Sequence, residues 1–217
     1  MGTISLRASD GHPFQAYRSE PQGHSRGSIL LIQEIFGVNS HIRAVCDDYA
    51  GLGYQVLAPA LFDRVETGVE LGYASEDVTR GRELRTQLGW DNALLDLAAG
   101  IEQLPRPVFS IGYCWGGSLS WLCATRLGVD ASVCYYGGQI SDFPDEDPGC
   151  PVLMHFGETD ASIPMENVEA VRAAHPQAQI FVYPAGHGFN CDQRSSFDAE
   201  SAVLAKQRTL EFLQQLN

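Results

Sequence analysis

The sequence predicts an α/β protein in which helices cover both faces of a mostly parallel central sheet. Six short apolar runs, rich in Val, Ile and aromatic residues, lack the strict alternation of half-exposed strands and are typical of buried parallel strands. Helical patterns separate most of these runs, so strand and helix alternate along the chain. Hydrophobic residues make up 44% of the 217 residues, and residues 1–217 are therefore predicted to form a single domain.

The first two strands are predicted to form a hairpin, because residues 3–7 and 14–17 flank the turn signal Asp10-Gly11. The buried strands after the hairpin are short and rich in β-branched and aromatic residues, which distinguishes them from helices of similar apolarity. They are predicted over residues 28–33, 54–58, 108–111, 132–136, 152–156 and 179–183.

The helices are predicted from apolar residues at helical spacing and from glycine or proline stop signals. The longest pattern carries six apolar residues at helical spacings, and Gly89 or Gly100 is a candidate break within it. The last pattern is an amphipathic C-terminal helix. The predicted helices cover residues 41–52, 79–104, 118–127, 164–174 and 197–216.

The charge balance excludes several classes of partner. Lys and Arg number 14 and Asp and Glu number 27, so the formal net charge is −13. A surface this acidic repels phosphate backbones and anionic lipids, so neither nucleic acid nor membrane is expected as a partner. No apolar run approaches the roughly 20 residues that span a bilayer. A small molecule is the expected partner.

The cysteines indicate the compartment. No signal peptide is visible, and no two cysteines form a C-x-x-C pair, so free thiols in the cytoplasm are expected rather than a disulfide framework. No H-x-x-H pattern or Cys/His cluster is visible either, so no metal is predicted. The six cysteines are Cys46, Cys114, Cys123, Cys134, Cys150 and Cys191.

Residues 112–117 (GYCWGG) follow a predicted strand and precede a helix. Gly112, Cys114 and Gly116 form a G-x-C-x-G pattern, the nucleophile elbow with cysteine in place of serine. The glycines are needed because a neighbouring strand and helix face those positions, where a Cβ would collide. The helix N-terminus favours a thiolate, and the Trp115 N–H can point at a developing oxyanion. The alternative for Cys114 is a buried structural cysteine.

Two partners for this cysteine follow later strands. On this scaffold a triad runs nucleophile, acid, base along the chain. Asp160 follows the strand at 152–156, and His187 follows the strand at 179–183. The order Cys114, Asp160, His187 is the expected one. Glu158 is a second candidate for the acid. The alternative for Asp160 is an aspartate that only caps a turn, and the alternative for His187 is a loop histidine hydrogen-bonded to the backbone.

The loop after the strand at 28–33 completes the candidate site. This loop is expected to supply the second oxyanion N–H, from Ile35. Glu34 would then lie near the nucleophile, where its charge would favour the neutral thiol. A buried structural carboxylate paired with an arginine is the alternative for Glu34.

Several motifs together resemble the dienelactone hydrolase family over nearly the whole chain. The resemblance implies an α/β-hydrolase fold with a Cys-His-Asp triad and no cofactor. It also implies that the resting thiol pairs with Glu34 until substrate binding frees it, and that the protein is a monomer. The motifs are residues 33–39 (QEIFGVN), 112–117, 157–160 (GETD) and 185–189 (AGHGF), with Asp10-Gly11 and residues 59–62 (PALF) in support.

The substrate-binding residues depart from the family pattern. The family holds a substrate carboxylate with arginines, one of them shortly after the catalytic histidine. Cys191 occupies that position here, and the nearest arginine is Arg194. The second family arginine falls near Arg80 or Arg82. For Arg80, Arg82 and Arg194 the alternative is a solvated arginine with no binding role. Tyr135 is a further candidate for the substrate pocket, and its alternative is packing at the end of a strand.

These observations predict a hydrolase that opens a lactone or enol ester of the dienelactone type through a cysteine acyl-enzyme. Two alternatives remain. The missing arginine makes a different small ester or lactone plausible as the substrate. The second alternative is a ligand-binding or redox-responsive protein that has kept the nucleophile elbow but has lost catalytic turnover. The presence of Asp160 and His187 argues against it.

Overall fold

A computed structural model describes residues 1–216 of the chain. All eight strands belong to one sheet. Five of them are buried along their whole length, which explains why their sequences are continuously apolar. The strands are β1 (Gly2–Arg7), β2 (Pro13–Ser19), β3 (Ser28–Ile32), β4 (Gln55–Pro59), β5 (Val108–Tyr113), β6 (Ala131–Tyr135), β7 (Val152–Gly157) and β8 (Gln179–Tyr183).

The strand order is β1-β2-β4-β3-β5-β6-β7-β8. The hairpin β1–β2 is antiparallel and joins β4 antiparallel, whereas every pair from β4 to β8 is parallel. The prediction of a mostly parallel sheet with an N-terminal hairpin is confirmed. The carboxyl ends of β3, β5, β7 and β8 therefore meet at one edge of the sheet, which is where ligands bind in such sheets.

The prediction that β8 is a buried strand is wrong. Its apolar run resembles the buried strands, yet most of the strand is only half-buried. The reason is its place at the end of the sheet, next to β7 and with no strand beyond it. An edge position cannot be read from the composition of a single strand.

The helices pack against the sheet and connect its parallel strands. Helix α1 (Ser40–Gly51) contacts β4, α3 (Trp90–Glu102) contacts β3 and β4, and α4 (Trp115–Leu122) contacts β5 and β6. The predicted pattern at 79–104 is two helices, because Gly89 breaks it with φ +73°. None of the helices in residues 1–216 has the length and apolarity that crossing a bilayer requires. The helices are α1 (Ser40–Gly51), α2 (Ser75–Leu88), α3 (Trp90–Glu102), α4 (Trp115–Leu122), α5 (Met165–Ala174) and α6 (Ala199–Gln214).

A buried histidine joins β7 to its neighbours. His155 Nδ1 is 2.8 Å from the hydroxyl of Tyr183 on β8, and Nε2 is 3.0 Å from Thr209 Oγ1 on α6. Burial lowers the pKa of His155 from its usual 6.5 to about 3. The native protein therefore keeps this ring neutral at pH values where the unfolded chain protonates it.

This histidine should make the protein sensitive to acid. Below pH 6.5 His155 is protonated in the unfolded chain but stays neutral in the folded protein. The free energy of unfolding therefore falls as pH falls towards 3. Between pH 7 and pH 5 the free energy of unfolding should fall by about 2 kcal/mol less in His155→Gln than in wild type. Urea unfolding at both pH values measures this difference. The exposed His24, replaced by glutamine, is the control. Equal losses in wild type and His155→Gln would contradict the prediction.

Candidate active site

Cys114 lies in the sharp turn between β5 and α4. Its φ is +56° and its ψ is −119°, a strained conformation for a residue with a side chain. A Cβ on Gly112 would lie 1.8 Å from the carbonyl oxygen of Gly116 in the helix. A Cβ on Gly116 would lie 2.4 Å from the Ile32 carbonyl oxygen at the end of β3. Both collisions confirm the predicted reason for the flanking glycines.

The loops after β7 and β8 bring the two predicted partners to this cysteine. His187 Nε2 is 3.1 Å from Cys114 Sγ, and His187 Nδ1 is 2.7 Å from Asp160 Oδ2. The Asp160 carboxylate is buried and also accepts a hydrogen bond from the Ser162 N–H at 2.7 Å. Glu158, the rival acid, is exposed. The three side chains form one connected chain from sulfur through imidazole to carboxylate.

The charge state of His187 depends on its two neighbours. Burial by itself would lower the pKa of the ring. The charges and hydrogen bonds of Cys114 and Asp160 outweigh burial and raise the pKa of His187 to about 10. A proton taken from the thiol is therefore well held on the imidazole.

The two candidate oxyanion donors have no acceptor within residues 1–216. Trp115 is the first residue of α4, and Ile35 follows β3 in a turn. Neither backbone N–H donates a hydrogen bond to another described residue. The first N–H groups of a helix have no partner within the helix, which leaves the Trp115 N–H available. Both remain proposals as donors.

Helix α2 supports the Ile35 loop through a glycine that the sequence analysis missed. A Cβ on Gly81 would lie 2.1 Å from the Ile35 carbonyl oxygen, so the helix backbone touches this loop. Gly81 lies in the interior of a helix, where glycine is unfavourable relative to alanine. That unexplained glycine is the signal that could have revealed the contact.

Gly81→Ala should misplace the Ile35 loop and lower kcat with little change in KM. We expect a loss of about 10- to 100-fold, below that for removal of a whole oxyanion donor. Steady-state kinetics with p-nitrophenyl acetate measures both constants. Gly51→Ala is the matched control, because no atom lies within 4 Å of a Cβ at that helical glycine. Equal kcat values in the two variants would show that Gly81 does not position the Ile35 loop.

Glu34 pairs with an arginine and not with the thiol. Its Oε1 accepts a hydrogen bond from Arg194 Nη1 at 3.0 Å, and both side chains are largely buried. The Arg194 guanidinium also lies over the rings of Phe36 and Tyr73, at 5.6 and 5.7 Å from their centroids. The structure therefore differs from the expected pairing of the resting thiol with Glu34: the thiol lies beside His187 and the carboxylate beside Arg194.

A cleft of about 180 Å³ opens over Cys114 and His187. Of the predicted arginines, Arg82 and Arg194 line it. Arg80 does not, since its guanidinium is paired with Glu66 and Glu83 on the surface. The cleft contains a third arginine that the sequence analysis did not name, Arg85, one helical turn after Arg82.

Tyr135 does not line this cleft, which corrects its prediction as a substrate-binding residue. Its side chain is buried, its hydroxyl is 2.8 Å from Thr209 Oγ1, and its ring stacks on Tyr113. Tyr135 therefore packs at the end of β6, as the alternative interpretation of this residue predicted. The next residue, Tyr136, has φ +39°, and its ring centroid is 5.2 Å from that of His187.

Comparison with known proteins gives a consistent result. The model of the Dienelactone hydrolase family matches residues 14–217. A "Putative carboxymethylenebutenolidase" from Synechocystis sp. is 38% identical over 86% of this chain and 85% of its own length. A protein of the same name from Escherichia coli K12 is 35% identical over 95% and 84%. The crystal structure of a "Putative Dienelactone Hydrolase" from Klebsiella pneumoniae superposes with a TM-score of 0.83 at 33% identity, covering 99% of this chain and all of that one.

Proposed function

The chain belongs to the dienelactone hydrolase family, with an α/β-hydrolase fold, and from this premise we propose that it opens a small lactone or enol ester through a thioester on Cys114. One observation carries the proposal. A single imidazole, that of His187, lies within hydrogen-bonding distance of both the Cys114 sulfur and the buried Asp160 carboxylate. This is the arrangement that activates a nucleophile through an oriented base.

In the first step His187 Nε2 takes the thiol proton and Cys114 Sγ attacks the carbonyl carbon. The C–S bond forms as the carbonyl π electrons move onto oxygen. The N–H groups of Ile35 and Trp115 stabilise the oxyanion. Asp160 holds the Nδ1–H of His187 and stabilises the imidazolium that forms.

Ring opening completes acylation. The electrons return from the oxyanion, the ring C–O bond breaks, and His187 gives its proton to the leaving enolate oxygen. The product of this step is a thioester on Cys114 whose acyl chain still carries the former leaving group. Water then attacks the thioester with His187 as base, and the Cys114 thiolate departs. Every proton that the cycle moves passes through Nε2 of one residue.

The cleft favours a small anionic substrate. Arg82, Arg85 and Arg194 line it beside the nucleophile, although the protein as a whole carries a net charge of −13. Guanidinium groups bind carboxylates in a bidentate geometry, so a substrate carboxylate is the group that they would hold. We propose a dienelactone-type substrate on this ground. A different small ester is the second candidate, because Cys191 stands where the family pattern has an arginine.

We propose that the enzyme acts as a cytoplasmic monomer without a cofactor. The six cysteines are free thiols, as a reducing compartment would keep them. The triad supplies both the nucleophile and the acid–base group, so the proposed chemistry is complete with protein side chains alone.

Stopped-flow kinetics with dienelactone and with p-nitrophenyl acetate tests the proposal in wild type, Cys114→Ala and Cys114→Ser. We expect wild type to open the lactone and to show an acyl adduct on Cys114 by mass spectrometry. Both variants should lose at least about 1000-fold in rate. Cys150→Ala is the matched control, since that half-buried thiol lies on a loop before β7.

The other outcomes are distinct. Turnover of the aryl ester alone, with the same dependence on Cys114, would reject dienelactone as substrate and keep the hydrolase. Failure on both substrates would reject catalysis and favour a ligand-binding or redox-responsive protein.

A further inference from the structure

Three buried side chains with metal-binding donor atoms converge next to the active site. Glu34 comes from the loop after β3, His41 from the first turn of α1, and Cys191 from the loop after β8. One oxygen, one ring nitrogen and one sulfur of these residues lie within 4.8 Å of one another. All three residues are buried. No pattern in the sequence links them, because 150 residues separate His41 from Cys191.

Two of these donor atoms have no hydrogen-bond partner among the described residues. They are Glu34 Oε2 and His41 Nε2, and each is fully shielded from solvent. An unpaired buried polar atom destabilises the fold, and native structures contain few of them. The two unpaired atoms belong to two residues of the same cluster, so one ligand bound in the cluster would satisfy both.

The surroundings of His41 prepare it as a ligand. Its Nδ1 is 3.3 Å from Asp192 Oδ1, so the carboxylate can hold the proton on Nδ1. The free electron pair then stands on Nε2, the ring nitrogen that is buried without a hydrogen-bond partner among the described residues. Metal-bound histidines commonly carry a carboxylate on their second nitrogen in this way.

We propose that Glu34 Oε2, His41 Nε2 and Cys191 Sγ form a binding site for a divalent zinc-type ion. Thiolate, imidazole and carboxylate together select Zn²⁺ and its analogue Co²⁺ over Mg²⁺ or Ca²⁺. Tetrahedral zinc with these ligands needs donor atoms roughly 3.3 to 3.8 Å apart, so donor atoms that lie within 4.8 Å of one another must approach by at most about 1.5 Å. Three protein ligands leave the fourth position to water.

Binding is balanced in charge and protons. The Cys191 thiol proton leaves to solvent as the metal–sulfur bond forms. With Arg194 counted, the ion, the Cys191 thiolate and the Glu34 carboxylate leave one net positive charge, which the Asp192 carboxylate beside His41 offsets. A surface groove lined by His41, Asn190 and Asp192 reaches the edge of the cluster and provides a path for the ion.

The site is separate from the triad but linked to the cleft through one carboxylate. Glu34 Oε1 accepts a hydrogen bond from Arg194, which lines the cleft, while Oε2 has no partner in residues 1–216 and is the oxygen left for the ion. An ion on Oε2 withdraws charge from that carboxylate and weakens its hold on Arg194. Metal binding itself does not depend on whether Cys114 turns over a substrate.

Titration of chelator-treated protein with Co²⁺ tests the site, because a cobalt–thiolate bond gives a charge-transfer band in the near ultraviolet. We expect one equivalent to bind in wild type and in Cys114→Ala. Cys191→Ala should lose the band and lower the affinity for Zn²⁺, measured calorimetrically, at least about 100-fold. Asp192→Asn should lower that affinity about 10-fold with the band retained, because it removes only the negative charge beside His41 Nδ1.

The matched pair of cysteine variants separates this site from the triad, which also offers sulfur, nitrogen and oxygen. A band that is lost in Cys114→Ala and kept in Cys191→Ala would assign the metal to the triad and overturn the proposal. Wild type without a saturable thiolate band would overturn it as well. His41→Gln should behave as Cys191→Ala does. If that variant fails to fold, Cys191→Ser and Asp192→Asn, which keep the polar character of their sites, carry the same test.

Discussion

His187→Gln should lower kcat/KM for hydrolysis about 10³- to 10⁴-fold while the protein stays folded. His187 Nε2 is the basic atom that the structure places 3.1 Å from Cys114 Sγ. Glutamine has a similar length but cannot take the thiol proton or return it to the leaving oxygen. Both halves of the reaction therefore lose their proton carrier, whatever the ester substrate is.

Two readouts distinguish this loss from a damaged fold. Hydrolysis of p-nitrophenyl acetate reports turnover, and the rate of iodoacetamide alkylation of Cys114 at neutral pH reports activation of the sulfur. Both rates should fall together, with far-ultraviolet circular dichroism unchanged. His24→Gln, on an exposed loop, should change neither rate. Unaltered hydrolysis in His187→Gln would contradict the triad, and a ligand-binding protein would keep its ligand affinity in this variant.

The fold and the convergence of the three candidate triad residues were predictable for the same reason. Each triad residue directly follows an apolar run, and buried parallel strands bring their carboxyl ends to one edge of the sheet. Cys114, Asp160 and His187 therefore needed only the order of strands and the glycines at the elbow. The chain separations of 46 and 27 residues between them do not matter once the strands are identified.

The surroundings of the triad were not predictable, because they depend on where side chains point. Tyr135 and Tyr136 are adjacent and chemically identical, yet one packs under the sheet and the other reaches His187. Tyr136 follows β6 with a φ of +39°, a conformation that its residue type does not predict. Similarly, Arg85 lines the cleft whereas Arg80 pairs with Glu66 and Glu83 on the surface, and which face of α2 lies towards the cleft depends on how the helix packs.

The pairing of Glu34 with Arg194 is the part of the site where the sequence left two readings open. The family resemblance implies that this carboxylate holds the resting thiol, and the alternative was a buried carboxylate paired with an arginine. The structure has the second arrangement, across 160 residues of chain. The difference matters for what a substitution at either position would do.

Arg194→Met should therefore lower the free energy of unfolding by about 3 to 5 kcal/mol, because it leaves the carboxylate of Glu34 buried without a counterion. The double variant Glu34→Gln/Arg194→Met should recover much of that loss, since no unpaired charge then remains. Urea unfolding of wild type, both single variants and the double variant gives the coupling free energy. Arg82→Met, which removes an exposed arginine of the same cleft, should change stability by less than about 0.5 kcal/mol.

The same variants decide between the two readings of Glu34. If the carboxylate restrains the thiol, Glu34→Gln should speed alkylation of Cys114 by neutral iodoacetamide. If it pairs with Arg194 instead, that rate should stay within about twofold of wild type, because the sulfur contacts His187 and the carboxylate contacts Arg194. The KM for an anionic lactone should then rise in Glu34→Gln, since an arginine that has lost its anchoring charge is held less firmly at the cleft. We expect the second pattern, and an additive double variant with faster alkylation would contradict it.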